Sequence, residues 1–344
     1  MMHSRVFETR SIWCVATSGD RCALCTSDSC MLLDPHLNKV RTTICGFKGH
    51  VTCAAFSLAS SLIAAGILHG VVQVADCSNG AFVATLLGGD ASGAVGDITF
   101  SPDGTLLAAA FISGSIQIWH VGNWDRPPTV LTCQRWVFTL AFSCDGRALV
   151  VPSGSNVLRM WRIADDGTAC QQLDIAVNTD PYHTNPNNDL GNVCVAFSPI
   201  DKDILAFSDI VTTIARMNTD KSLSMLHRFP IWASDLLFSP CGRRLAVVSE
   251  NIKLLDVTSG ARLCVMDEHS VTGVAFTANG KQLVSVSNEV KIWTVCKWSE
   301  RDHHLFNPEF RRRVVWVLCA RARLAKAKQN MPYEIWRMIF QSMV

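Results

Sequence analysis

One phrase recurs along this chain. Ile98–Val121 reads ITFSPDGTLLAAAFISGSIQIWHV, and close variants follow as LAFSCDGRALVVPSGSNVLRMWRI from Leu140, LLFSPCGRRLAVVSENIKLLDV from Leu236 and VAFTANGKQLVSVSNEVKIWTV from Val274. Each copy has an alternating apolar strand ending in Phe-Ser or Phe-Thr, a tight turn containing Gly, a second apolar strand, a short polar turn and a third strand. The phenylalanine that closes the first strand serves as a ruler: Phe56, Phe100, Phe142, Phe197, Phe238 and Phe276 are spaced by 44, 42, 55, 41 and 38 residues. A weaker copy, WCVATSGDRCALCTSDSCMLLD, precedes them with Ala16 in the ruler position.

A period near 40 residues marks the blades of a β-propeller, and seven copies predict seven blades. One antiparallel blade leaves its faces and edges open, so the copies pack face to face and the ring must close. The last copy lacks a fourth strand. The strand-like segment Ser4–Thr9 is otherwise unassigned and is expected to complete the seventh blade. The expected fold is therefore all-β: a seven-bladed β-propeller of four-stranded antiparallel blades over 1–298, closed by the N-terminal strand. A helical tail follows over 299–344.

The blades resemble the WD-repeat family. The residues that carry the resemblance are Gly49-His50, the FSPDG of Phe100–Gly104, and the strand-ending Trp119, Trp161 and Trp293. No Trp-Asp pair survives: His120, Arg162 and Thr294 follow the three tryptophans. The resemblance implies a structural role for Trp119, Trp161 and His50, and a buried hydrogen-bond set in the last blade made of His269, Ser285, Trp293 and Asn288. It also implies protein binding on the face formed by the loops between blades. Rim candidates there are Lys48, Arg135, Trp136, Arg228 and Trp232; the two tryptophans either serve that rim or pack between blades.

With 49% hydrophobic and 17% charged residues, the chain can bury a large core. It lacks a secretory leader pattern and an apolar run near the roughly 18 residues a membrane span needs, so a soluble protein of the cytoplasm, or the nucleus, is expected. The 15 cysteines fit that reading as free thiols inside strand-like runs. Cys22, Cys25 and Cys30 are spaced like part of a zinc site, but residues three apart on a strand face opposite ways and no second pair follows, so no metal is expected.

A search for chemistry finds no phosphate loop, nucleophile elbow or His-Glu-x-x-His pattern. The long Phe142–Phe197 spacing leaves an insertion, Asn178–Asn192, whose Asp180, Tyr182, His183 and Asp189 are the only grouping suited to acid, base or metal work. An Asn/Asp-rich loop of this kind is ordinarily solvated, and Tyr182 and His183 are better placed to meet a partner above the ring. No catalytic residues and no cofactor are expected.

The tail is basic, with seven cations and one anion between Glu309 and Lys328. It has a helical apolar stripe whose cations can snorkel to water, and carries no strong nucleic-acid signal. Its last stretch, Met331–Val344, looks like the opening of an F-box through Pro332, Glu334, Ile335, Trp336, Ile339 and Phe340. That resemblance implies docking onto the adaptor of a cullin ubiquitin ligase. Two functions follow: a non-enzymatic scaffold that binds other proteins, or an F-box-like substrate receptor. An enzyme built on the 178–192 loop is the third and weakest.

Overall fold

The computed structural model describes residues 3–8, 12, 14–18, 21–33, 40–57, 59, 61–88, 93–133, 136–153, 157–164, 166–177, 194–208, 211–287 and 289–295. The 178–192 insertion, Arg135, Asn288 and the whole 299–344 tail lie outside the described residues.

The strands form seven four-stranded antiparallel sheets. After β1 (His3–Glu8), the first blade is β2 (Cys14–Ser18), β3 (Arg21–Cys25), β4 (Ser29–Leu33) and β5 (Val40–Cys45). The second is β6 (Val51–Phe56), β7 (Leu62–Ile67), β8 (Val71–Asp76) and β9 (Phe82–Leu87). The third is β10 (Val95–Phe100), β11 (Leu106–Phe111), β12 (Ser115–His120) and β13 (Thr129–Thr132). The fourth is β14 (Ala141–Phe142), β15 (Ala148–Pro152), β16 (Val157–Ile163) and β17 (Ala169–Ala176). The fifth is β18 (Cys194–Phe197), β19 (Ile204–Ser208), β20 (Thr212–Met217) and β21 (Leu223–Phe229). The sixth is β22 (Asp235–Phe238), β23 (Arg244–Val248), β24 (Ile252–Asp256) and β25 (Arg262–Met266). The seventh is β26 (Gly273–Phe276), β27 (Gln282–Val286) and β28 (Glu289–Thr294), with β1 as its outer strand. The chain is thus closed as its sequence predicts: Val6 pairs with Lys291 and Glu8 with Glu289 across the β1–β28 ladder.

The first strand of each blade is innermost, and these strands touch one another in sequence around the axis, from β2 against β6 through to β26 against β2. Burial follows from that order. All six residues of β11 are buried, because a second strand is covered by neighbouring blades on both faces and so reads as a continuous apolar run. The outer β9 alternates, with Leu86 buried and Leu87 exposed. The ruler residues Phe56, Phe100, Phe142, Phe197, Phe238 and Phe276 are only 4–8% exposed, and Ala16 is 7% exposed in the same role. They fill the spaces between blades: Phe100 shares one core cluster with Leu107 of its own blade and with Val72 and Val74 of the blade before.

The turn in the phrase has a local cause. In blade 3 the Ser101 hydroxyl donates to Asp103 at 2.5 Å and accepts the Leu106 amide at 2.9 Å. Gly104 between them sits at φ +72°, a left-handed conformation that a Cβ disfavours. Ser143-Asp145-Gly146 and Thr277-Asn279-Gly280 repeat the arrangement.

The cysteine expectation is corrected at one point. Cys25 and Cys30, read as free thiols, are joined in a disulfide. The β3–β4 register sets them directly opposite, with Cα atoms 4.1 Å apart, and both are fully buried. Cys22, which completed the zinc-like spacing, stays a free thiol opposite Leu33.

Candidate protein-interaction face

The connections between blades and the turns between second and third strands share one end of the ring, called here the upper face. Three large apolar side chains stand open in the blade-to-blade connections: Trp136 is 56% exposed, Trp232 45% and Phe138 39%. Leu68, in a second-to-third strand turn, is exposed at the same end. Trp136 and Phe138 lie edge to face with ring centroids 6.4 Å apart, which holds the pair as one projecting element. Apolar groups this size are costly to leave in water and are the side chains that anchor protein interfaces.

Beneath this rim, the residue three before each ruler phenylalanine forms an inner girdle: Cys53, Asp97, Thr139, Cys194, Asp235 and Gly273. Several of them link one inner strand to the next. The Asp97 carboxylate accepts the Leu140 amide of the following blade at 3.0 Å and its own neighbour's amide, Ile98, at 2.8 Å. The Thr139 hydroxyl accepts the Val195 amide at 3.4 Å, and the Cys194 thiol donates to the Ala233 carbonyl at 3.3 Å. Burial pushes the Asp97 carboxyl up to about 7 against the two amides that lower it, and the like charge of Asp235, three blades round the ring, adds to the rise. Asp235 is likewise raised to about 6 by the protein packed around it, although its side chain keeps contact with solvent inside the ring. Burial also drives the Cys53 thiol well above its usual range, so it is a poor nucleophile at neutral pH. Among the described residues, no group of three or more His, Cys, Asp or Glu side chains is gathered closely enough to hold a metal ion.

The expected rim residues are distributed as follows. Lys48 is exposed on the upper face, with its backbone amide donating to the Gln73 side chain at 2.7 Å. Trp136 and Trp232 are exposed rather than packed between blades. Arg228 is a correction: it belongs to the outer strand β21, opposite Thr213, and not to a loop corresponding to that of Arg135-Trp136. The β20–β21 pairing runs from Met217 opposite Leu223 to Thr212 opposite Phe229, which keeps Arg228 within the strand. Arg135, Tyr182, His183, Pro332, Glu334, Ile335, Trp336, Ile339 and Phe340 lie outside the described residues.

The structural set of the last blade is also corrected. Ser285 and Trp293 are present, the indole donating to the Ser285 hydroxyl at 2.8 Å. Their third partner is Glu268 and not His269. The Glu268 carboxylate accepts from the Ser285 hydroxyl, from Ser287 at 2.8 Å and from the Trp293 indole at 3.2 Å, with Lys291 at 3.7 Å. Its side chain is 1% exposed, whereas that of His269 is 73% exposed and meets the Glu250 carbonyl through Nδ1 at 2.9 Å and the exposed Asp267 carboxylate through Nε2 at 3.4 Å. His50 is half-buried, and Trp119 and Trp161 are buried at the ends of their strands.

Seven four-stranded antiparallel blades, the last completed by the N-terminal strand, define a seven-bladed β-propeller. In agreement, two segments, 80–120 and 260–294, match the family model "WD domain, G-beta repeat". Each begins just before an outer strand and ends on the third strand of the following blade, so the repeat unit is staggered relative to the blade. The human WD repeat and SOCS box-containing protein 1 is 30% identical over 104 residues, covering 30% of this chain and 24% of that protein. The Xenopus tropicalis U3 small nucleolar RNA-associated protein 15 homolog is 25% identical over 208 residues, 58% of this chain and 38% of its own. The rice small ribosomal subunit protein RACK1y is 28% identical over 136 residues, 38% of this chain and 39% of its own. The chain therefore spans about a quarter to two fifths of the length of these three relatives.

Proposed function

We propose that this protein is a non-enzymatic interaction platform that binds other proteins through the upper face of its propeller, in the cytoplasm or the nucleus. The observation that carries the reading is the exposed aromatic group Trp136, Phe138 and Trp232 on a rigid ring. Such rings supply geometry without conformational cost, and large apolar side chains left in water at a loop face serve recognition. Lys48, Arg135, Tyr182 and His183 belong to the same proposed surface. A photo-crosslinking amino acid placed at Trp136 tests it. Covalent adducts to a protein partner in cell extract are expected there. Adducts from a probe at Leu87, on the outer wall, with none from position 136, would refute the upper-face assignment.

A second reading is favoured by one finding, a relative whose name joins WD repeats to a further box in a single chain. On this reading the 331–344 segment, through Pro332, Glu334, Ile335, Trp336, Ile339 and Phe340, recruits a cullin-ligase adaptor while the propeller holds the substrate. Deleting Met331–Val344 and comparing the proteins retained from cell extract decides it: adaptor lost with the segment supports the receptor role, and adaptor absent from the full-length sample removes it.

A further inference from the structure

Four blades turn from their third to their fourth strand through a left-handed glycine: Gly122 at φ +82°, with open space around it, and Gly80 at +74°, Gly167 at +75° and Gly260 at +69°. The last three pack against the preceding blade. A Cβ at Gly167 would stand 2.8 Å from His120, and one at Gly260 2.5 Å from His227, so those junctions have no room for a side chain. Blade 5 breaks the pattern. Its turn has the same hydrogen bonds as that of blade 4, Lys221 amide to Asn218 carbonyl answering Gly167 amide to Ala164 carbonyl. The left-handed position at φ +67° is nevertheless held by Lys221. A non-glycine residue in that region is strained, and strain of this kind concentrates at functional sites.

The junction that this lysine borders is open. A cavity of about 250 Å³ lies between blades 4 and 5 at the end of the ring opposite the upper face. Its floor is apolar, formed by the half-buried Met160, Leu173 and Met217 beside Trp161. Four cations surround it, Arg147, Arg162, Lys202 and Lys221, against two carboxylates, Asp145 and Asp203. The excess charge is therefore positive. The volume falls below the roughly 300–1,000 Å³ of sites for drug-sized ligands, so it suits one or two side chains. Methionines give such a floor an adaptable shape.

We propose that the cleft between blades 4 and 5 is a docking site for an acidic peptide segment, with one apolar side chain seated on Met160, Leu173 and Met217 and flanking carboxylates on the surrounding cations. A recessed apolar floor ringed by charge receives an inserted side chain, whereas a lipid surface calls for a projecting one. The site is separate from the upper face and does not depend on what binds there.

The test uses the full chain and a displayed library of random twelve-residue peptides. Panning should enrich peptides with acidic residues beside Leu, Met or Phe. A synthetic copy of an enriched peptide should bind the Arg162→Glu/Lys202→Glu variant about tenfold or more weakly, with the same loss for the wild type in high salt. Both changes are on exposed side chains, and an unchanged melting temperature confirms that the variant folds. Lys221→Gly should raise the melting temperature while weakening the peptide, opposite signs that a purely structural lysine would not give. Enrichment without acidic residues, or equal binding to wild type and the charge-reversed variant, overturns the proposal. So does capture by wild type of phosphatidylserine vesicles but of no acidic peptide.

Discussion

The Asp97 carboxylate of β10 accepts the backbone amide of Leu140, just before β14, at 3.0 Å, tying the inner strand of one blade to that of the next. A half-buried anion in this position has a cost that depends on pH. Its folded value of about 7 lies above the ordinary 3.8, so the ionised form is disfavoured in the folded protein. Stability from this group is complete below the ordinary carboxyl range and falls as pH rises toward 7. Asp97→Asn keeps a carbonyl oxygen for Leu140 and carries no charge. The variant should match wild type near pH 4 and exceed it above pH 7 by on the order of 2 kcal/mol. Urea unfolding at the two pH values measures it, and parallel curves for both proteins would contradict the assignment.

Glu268 and His269 are neighbours with opposite surroundings. Removing the Glu268 side chain leaves the Ser285 and Ser287 hydroxyls without their acceptor and the Trp293 indole with the Ser285 hydroxyl, so Glu268→Ala should cost about 3 kcal/mol. His269→Ala should stay within about 0.5 kcal/mol, as for an exposed residue. Thermal melts of the two variants separate them, and the reverse order would restore His269 to the structural set.

Trp136 and Trp232 test the interaction face without testing the fold. Each is half in solvent, so substitution by Ala should leave the melting temperature nearly unchanged. Affinity for a partner cross-linked at that face should fall about tenfold or more for at least one of them. A loss of stability without a loss of binding would show that the indoles support the loops.

Cys25 and Cys30 should resist alkylation in protein denatured without reductant and gain two adducts after reduction. The pair closes a loop of few residues, so its loss should lower stability by about 2 kcal/mol. Mass spectrometry settles the bonding state: alkylation of both in the unreduced, denatured chain would mean that the two thiols are free.

The ring was legible because its signals are periodic. The ruler phenylalanines, the Ser-x-Asp-Gly turns and the apolar second strands recur, and each recurrence corrects the reading of its neighbours. The site was less so. Glu268 and His269 stand in a connection where no alternation fixes the register, and one residue's offset decides which is buried. Arg228 was misplaced because β21 runs on to Phe229 through residues that do not mark where the strand ends. Pairing Cys25 with Cys30 needs the register of β3 against β4, whereas thiol spacing alone suggests only local metal geometry. Asp97 and Asp235 were findable: both hold the place three before the ruler, where a charge interrupts an apolar strand. Lys221 was findable too, standing where Gly80, Gly167 and Gly260 stand.

The ladder between β1 and β28 gives the wheel a clasp whose two halves come from opposite ends of the described chain. Six blades can assemble from local neighbours, but the last needs two segments that lie far apart in the sequence. Trimming a handful of residues before Cys14 would thus open a seam beside β28, exposing its hydrogen-bonding edge to any strand that could take the vacant place. The chain ahead of His3 and the chain beyond Val295 also leave from this one blade.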